Sequence, residues 1–230
     1  MVTALNHTAI EAARAELARI GALLFERHLT DAAGGNISVR VGDVVCMSPS
    51  LAGQKHQWQL QPEDVLVVDL DGNILEGEGK LTRETKVHFR LHKEFGEYGT
   101  GVIHAHPRNV MVFAAMAQSM PPVLEANLKF GEVKCIGYAP AHGEELAQNV
   151  AAAIRGQEAR IAKQAAGVIA AWHGVFLIGK DLDAAFDAVE RFDTNAYCIL
   201  MAQMALGGRD LLAQQRADLE AAIARAGGKA

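Results

Sequence analysis

The sequence predicts an α/β layered domain built on a mixed or antiparallel sheet. Three observations predict it: several segments carry apolar residues at helical spacing, others alternate with period two or form short β-branched runs, and the two kinds interleave along the chain. From Ile10 to His28, Leu17, Ile20, Leu23 and Leu24 recur at helical spacing, and Thr8 with Glu11 has the form of a capping box, so a first helix is expected. Gly34-Gly35-Asn36 breaks that pattern. Ile37-Ser38-Val39-Arg40 resumes with period two, and Gly42-Asp43 turns the chain into Val44-Val45-Cys46-Met47, which reads as a hairpin. Ser48-Pro49-Ser50 and the polar stretch through His56 and Gln61 cannot continue a strand and read as a loop. Asp64 to Leu70 reads as a third strand ending at the turn Asp71-Gly72-Asn73.

Thr82 to Phe95 has the helical spacing Val87, Leu91, Phe95, with Thr82 as its cap, and Gly101-Val102-Ile103-His104 reads as a buried strand. Further helices are expected from Asn109 to Met120, stopped by Pro121-Pro122, and from Glu144 to Ile154. Gly167 to Ile178 reads as a strand interrupted by His173-Gly174, and Leu182 to Leu206 as a long closing helix. With no repeat and no low-complexity linker, residues 1–230 are read as one domain.

A formal net charge of −5 gives no basic field for a nucleic-acid backbone, so the expected partners are a small molecule and other copies of the chain. Glu11, Arg14, Glu16 and Arg19 interrupt the apolar positions of the N-terminus, which excludes a signal-peptide pattern there. The most apolar later stretch, Ala165 to Gly179, is too short for a bilayer span, so no membrane segment is expected. Cys46, Cys135 and Cys198 are odd in number, widely spaced and form no CxxC, which fits a reducing cytoplasm.

His104 and His106 are two apart in an expected strand, so both rings fall on one face and can reach one ion. The chain has nine histidines, so such a pair alone decides little and a third nitrogen is needed. His173 supplies a candidate, because an unpartnered ring in an otherwise apolar strand would be costly. Three imidazoles leave one coordination position open, the catalytic arrangement of zinc. The competing reading of His173 is a buried ring bonded to backbone.

Five segments together decide between these readings. Gly35-Asn36-Ile37-Ser38-Val39-Arg40, Met47-Ser48-Pro49-Ser50, Leu81-Thr82-Arg83-Glu84 followed by His88, Val102-Ile103-His104-Ala105-His106 and Trp172-His173-Gly174 occur in an order and spacing that resembles the class II aldolase/adducin family. The resemblance covers most of residues 10 to 205. It implies an α/β/α layered fold with a central mixed, largely antiparallel sheet, assembled as a homotetramer with active sites at subunit interfaces. It further implies a divalent metal ion, Zn2+ first and Mn2+, Co2+ or Fe2+ otherwise, on His104, His106 and His173, with Glu84 as the catalytic acid/base residue.

The implied activity is carbon–carbon bond cleavage in a small anionic hydroxy-carbonyl compound such as a sugar phosphate. Cleaving a bond next to a carbonyl leaves an enediolate, whose charge a divalent cation can stabilise while a nearby carboxylate moves the proton. Of the groups that bind substrate in the family's sugar-phosphate enzymes, this chain keeps Gly35, Asn36, Ser50 and Thr82. It departs at Ala33, where they have a threonine, at Leu51, where they have a glycine, and at Arg83, where they have a serine. Arg83 can form a two-pronged pair with a carboxylate or phosphate. Glu125, Ala126 and Asn127 stand where a tyrosine would protonate the aldehyde fragment; Lys129 and Tyr138 are nearby substitutes, and Pro49, Lys55 and His56 sit in a loop that could line the pocket. Those departures keep a decarboxylase of a keto or hydroxy-aromatic acid, a dehydratase and an epimerase open as alternatives. A non-catalytic adducin-like interaction module is disfavoured, because such heads resemble the family without its metal histidines.

Overall fold

The computed structural model describes residues 6–205, 207 and 212–225, with side chains left undescribed for 212–216. The chain begins with α1 (His7–Glu26), whose buried face is formed by Ile10, Leu17, Ile20 and Leu24. Its cap is Asn6, whose side chain accepts from the Ala9 amide at 3.1 Å; Thr8 and Glu11, expected as a capping box, already lie inside the helix. The predicted hairpin is present as β1 (Asn36–Val41) and β2 (Val44–Met47), turning at Gly42-Asp43.

The stretch expected as a polar loop contains a short helix, α2 (Ala52–His56), bounded by Leu51 and Gln57 in the left-handed region. It is held in place by Trp58, which is fully buried and donates from Nε1 to the Asp31 carbonyl at 3.3 Å. The third strand is β3 (Leu66–Asp69), and the Asp71-Gly72-Asn73 turn leads into a further edge strand, β4 (Ile74–Glu76).

Helix α3 (Thr85–Phe95) starts later than expected, because Glu84 rather than Thr82 occupies the N-cap position, and its side chain makes no cap bond. Then follow β5 (Gly101–Ala105), α4 (Arg108–Ala115), β6 (Cys135–Ile136), α5 (Glu144–Ile154) and α6 (Glu158–Lys163). The helix expected to run to Met120 ends at Ala115; Ala117 is in the left-handed region, and Met120 instead pairs with Val133. The apolar stretch expected as one interrupted strand is two antiparallel strands, β7 (Ala165–Ala170) and β8 (Gly174–Gly179). Last come α7 (Leu182–Ala205) and α8 (Leu212–Arg225); Leu206, the expected end of the closing helix, lies outside the described residues.

All eight strands form one sheet in the order β4-β3-β2-β1-β5-β8-β7-β6, antiparallel throughout except for the parallel pair β6 and β7. One face packs Ile37, Val39, Ile103, Val175 and Leu177 against α1, α4 and α7; the other packs Val102, Val168, Phe176 and Ile178 against α3, α5 and α6. Helices thus cover both faces of a mixed, largely antiparallel sheet, as the fold class predicts. Among the described residues no helix is long and apolar enough to cross a membrane.

Candidate metal centre and its cavity

In the sheet, Asn36 is the register partner of His104 and His104 that of Phe176, so these three lie in one row across β1, β5 and β8. His104 is the penultimate residue of β5; His106, one residue past its end, keeps the strand's alternation and brings its ring within 4.9 Å of His104, centroid to centroid. His173 lies not in a strand but in the Ala171-Trp172-His173 turn between β7 and β8. The turn is fixed by the Trp172 amide donating to Ala114 O at 2.9 Å and the His173 amide to Ala170 O at 3.1 Å. The bend moves His173 over the end of β5, 4.8 Å from the His104 ring. Gly174 is required there: a Cβ would stand 2.7 Å from His106 Cδ2 and 3.0 Å from His104 Cε1.

The three histidines can each turn one ring nitrogen to a common point, all within 4.8 Å of one another. His104 Nδ1 faces the Val175 carbonyl at 3.0 Å, which makes it the protonated nitrogen and leaves Nε2 as the lone pair. His106 Nδ1 faces Asp31 Oδ2 at 3.3 Å, and its Nε2 is buried with no hydrogen-bond partner. Burial and the neighbouring rings push the His104 pKa well below its ordinary value and that of His173 down to about 4, holding both in the neutral form that ligates metals. An orphaned buried nitrogen among neutral imidazoles is what a divalent ion would satisfy, so the donor set fits one.

Glu84 is buried beside this point, with Oε1 3.5 Å from His173 Nε2. Burial raises its pKa, opposed by the His142 amide, the His142 ring and Arg83. The His142 amide donates to Oε2 at 3.4 Å and its ring lies 3.7 Å from Oε1. His142 is in the left-handed region at φ 65°, on the turn before α5.

A cavity of about 200 Å³ opens onto these groups and is lined by the nine residues expected to bind metal or substrate or to carry the proton, Gly35, Asn36, Ser50, Thr82, Arg83, Glu84, His104, His106 and His173, but not by Pro49. Gly35, at φ 86°, would drive a Cβ to 2.3 Å from Thr30 Oγ1, so only glycine fits at this position on the cavity wall. Arg83 is exposed at the mouth. Lys55, His56, Lys129 and Tyr138 do not line it; Lys129 pairs with Asp187 at 3.7 Å, and Tyr138 packs against Trp172. Two contributors went unseen in the sequence. One is His142. The other is Asp31, which orients His106 while accepting from the Ala33 and Gly34 amides at 2.8 Å each. The only local signal for Asp31 is an acidic residue three positions before Gly34, a turn former as readily as a partner.

Comparison with known proteins gives a consistent picture. The family model described as Class II Aldolase and Adducin N-terminal domain matches residues 15–200. An L-fuculose phosphate aldolase of Methanococcus maripaludis is 29% identical over 176 residues, 76% of this chain and 89% of that one. A 5-deoxy-D-ribulose 1-phosphate aldolase of Bacillus thuringiensis is 28% identical over 183 residues, 78% and 80% of the two chains. The crystal structure of L-fuculose-1-phosphate aldolase from Thermus thermophilus superposes with a TM-score of 0.71 at 26% identity, covering 87% of this chain and 97% of that one.

Proposed function

The chain belongs to the class II aldolase and adducin N-terminal domain family and is an aldolase-type enzyme, and on that premise we propose that it is a metal-dependent lyase cleaving a carbon–carbon bond in a small phosphorylated hydroxy-carbonyl compound. The observation that carries this reading is the convergence of His104, His106 and His173 on one point, with a partnerless buried nitrogen on His106, beside the buried carboxyl of Glu84. Zinc is the ion we place on the three nitrogens, with Mn2+, Co2+ and Fe2+ as the other ions this set accepts. Such a cation supplies Lewis-acid stabilisation of negative charge on the substrate oxygens.

The chain's own residues do the rest. Asn36, Ser50, Thr82 and Arg83, with the backbone of Gly35, hold the anionic end of the substrate in the cavity. Glu84, its carboxyl buried beside the three nitrogens with Oε1 3.5 Å from His173 Nε2, moves a proton to and from the carbon beside the carbonyl. The His142 amide keeps the carboxyl turned to the site. The names of the relatives support phosphate as the anion. Trp172 and Tyr138, each 64% exposed and packed together beside His173, form an apolar surface that a neighbouring subunit would cover, and the assembly we propose for it is a homotetramer. Decarboxylation of a keto or hydroxy-aromatic acid is the second reading, favoured by one observation: Glu125, Ala126 and Asn127 stand where the family's aldolases carry the tyrosine that protonates the aldehyde fragment.

The test is to incubate metal-loaded protein with L-fuculose 1-phosphate and with 5-deoxy-D-ribulose 1-phosphate and to assay triose phosphate. Cleavage of either is expected, and Glu84→Gln should keep metal and fold while losing turnover by at least about two orders of magnitude. Release of carbon dioxide from keto acids without release of triose phosphate would replace the first reading by the second. A Glu84→Gln enzyme of near wild-type rate would show that the proton moves through another group.

A further inference from the structure

Behind the cavity lies a buried polar chain that none of these steps uses. Asn36 and Ser38 are two apart on β1 and share a face, and His88 and His92 are four apart on α3 and share another. Where the two faces meet, Ser38 Oγ lies 2.7 Å from His92 Nε2 and 2.6 Å from His88 Nδ1, and His88 Nε2 lies 2.7 Å from Asn36 Oδ1. All four residues are buried, the serine and both histidines completely. The far end is His92 Nδ1, buried with no hydrogen-bond partner.

That orphan sets the direction of the whole chain. A buried N–H with no acceptor is rarer in folded proteins than an acceptor left short of donors, so the His92 proton belongs on Nε2 rather than on Nδ1. Burial keeps both rings neutral, with the His88 pKa pushed down to about 3 and that of His92 well below its ordinary value. His92 Nε2–H therefore donates to Ser38 Oγ, and the serine hydrogen must go to His88 Nδ1. With Nδ1 accepting, neutral His88 carries its own proton on Nε2 and needs an acceptor, which is the Asn36 carbonyl oxygen. Each bond leaves one choice for the next. The Asn36 Nδ2 donors are what remains for the cavity that Asn36 lines.

We propose that His92, Ser38 and His88 are positioning residues that lock the Asn36 amide with its NH2 group toward the substrate anion. The inference rests on Asn36 being a substrate-binding residue, as proposed above, and adds the reason that it presents a donor. With the amide reversed, a carbonyl oxygen would face the anion and repel it.

Two measurements on the metal-loaded full chain test this. In nitrogen-15 histidine spectra of the wild-type protein, assigned with His88→Gln and His92→Gln, both rings should be neutral and protonated on Nε2 across neutral pH. Calorimetric titration with 2-phosphoglycolate, a phosphomonoester probe, should give a Kd raised about tenfold by Asn36→Ala, the worth of one hydrogen bond to a charged group. Ser38→Ala should raise Kd by about threefold or more alone and add nothing in the Asn36→Ala background, whereas a general structural role would add the same factor in both. A proton on Nδ1 of either ring would overturn the proposal, as would a Ser38→Ala effect that is absent or undiminished in the Asn36→Ala background. The spectra need no binding variant, so they decide even if Ser38→Ala does not fold. Metal content of the same samples tests the functional reading separately, so the two can fail independently.

Discussion

Replacing Asp31 by asparagine should weaken metal binding without touching a metal-facing atom. The carboxylate divides its two oxygens: Oδ1 accepts from the Ala33 and Gly34 amides at 2.8 Å each, and Oδ2 faces His106 Nδ1 at 3.3 Å. A side-chain amide has one acceptor oxygen, so an asparagine at this position can serve the loop or the histidine and not both. If the loop keeps it, His106 loses the partner that holds Nε2 toward the site, and outer partners of this kind are worth roughly 10- to 100-fold in metal affinity. That range is about 1.4–2.8 kcal/mol. The lower end applies, because the Asp31 side chain is 54% exposed and water can take its place. Stability of the metal-free protein should change by well under about 1 kcal/mol for the same reason. Competition against a chromophoric chelator measures the metal Kd directly, and about a tenfold rise is expected in Asp31→Asn. A Kd equal to wild type, or a matching loss of stability in the metal-free form, would refute the idea that Asp31 acts by orienting His106.

Arg83→Ser should raise KM for an anionic substrate, toward the lower end of about 1.5–3 kcal/mol because Arg83 is exposed, and Arg83→Lys should rescue it only in part. Unchanged KM and kcat in Arg83→Ser would place the anion elsewhere, with Arg108 the next group to vary. Burial sets the His88 and His92 pKa values below those of the unfolded chain, so the stability they contribute is fully present above about pH 6.5 and is lost as pH falls below it. Each histidine adds a slope of about 1.4 kcal/mol per pH unit in that range. Urea unfolding of metal-free His92→Phe below about pH 6.5 should show a shallower slope by one such increment; an unchanged slope would mean that His92 is protonated in the fold.

What could be read from the sequence was whatever local pattern decides. The period-two spacing of His104 and His106 already placed their rings on one face, and the run of β-branched and apolar residues around them already placed that face in the sheet. All nine site residues taken from the motif segments reach one cavity. The misses were contacts or local conformations that no spacing encodes. Asp31 meets His106 across 75 positions and the His142 amide meets Glu84 across 58, so neither could be paired from its neighbours. The tight turn at Trp172, with φ 57°, was hidden in an apolar run that reads as one strand, and it is this turn that carries His173 to the other two ligands. Helix α2 escaped because its short polar sequence has no apolar stripe, and β4 because its residues are largely exposed on the sheet edge. The helix begins at Thr85, so Glu84 and not Thr82 holds the cap position, with its side chain turned to the site instead of to the helix.

The three-histidine metal centre is tested most directly by the metal content of protein purified without chelators, measured by elemental analysis for the wild type and for a His104→Ala, His106→Ala double variant. The geometry of the three rings and the partnerless His106 Nε2 lead us to expect one divalent ion per wild-type chain and none in the double variant, with both folded by circular dichroism. A wild-type protein that holds no metal, or a double variant that retains a full complement, would contradict it.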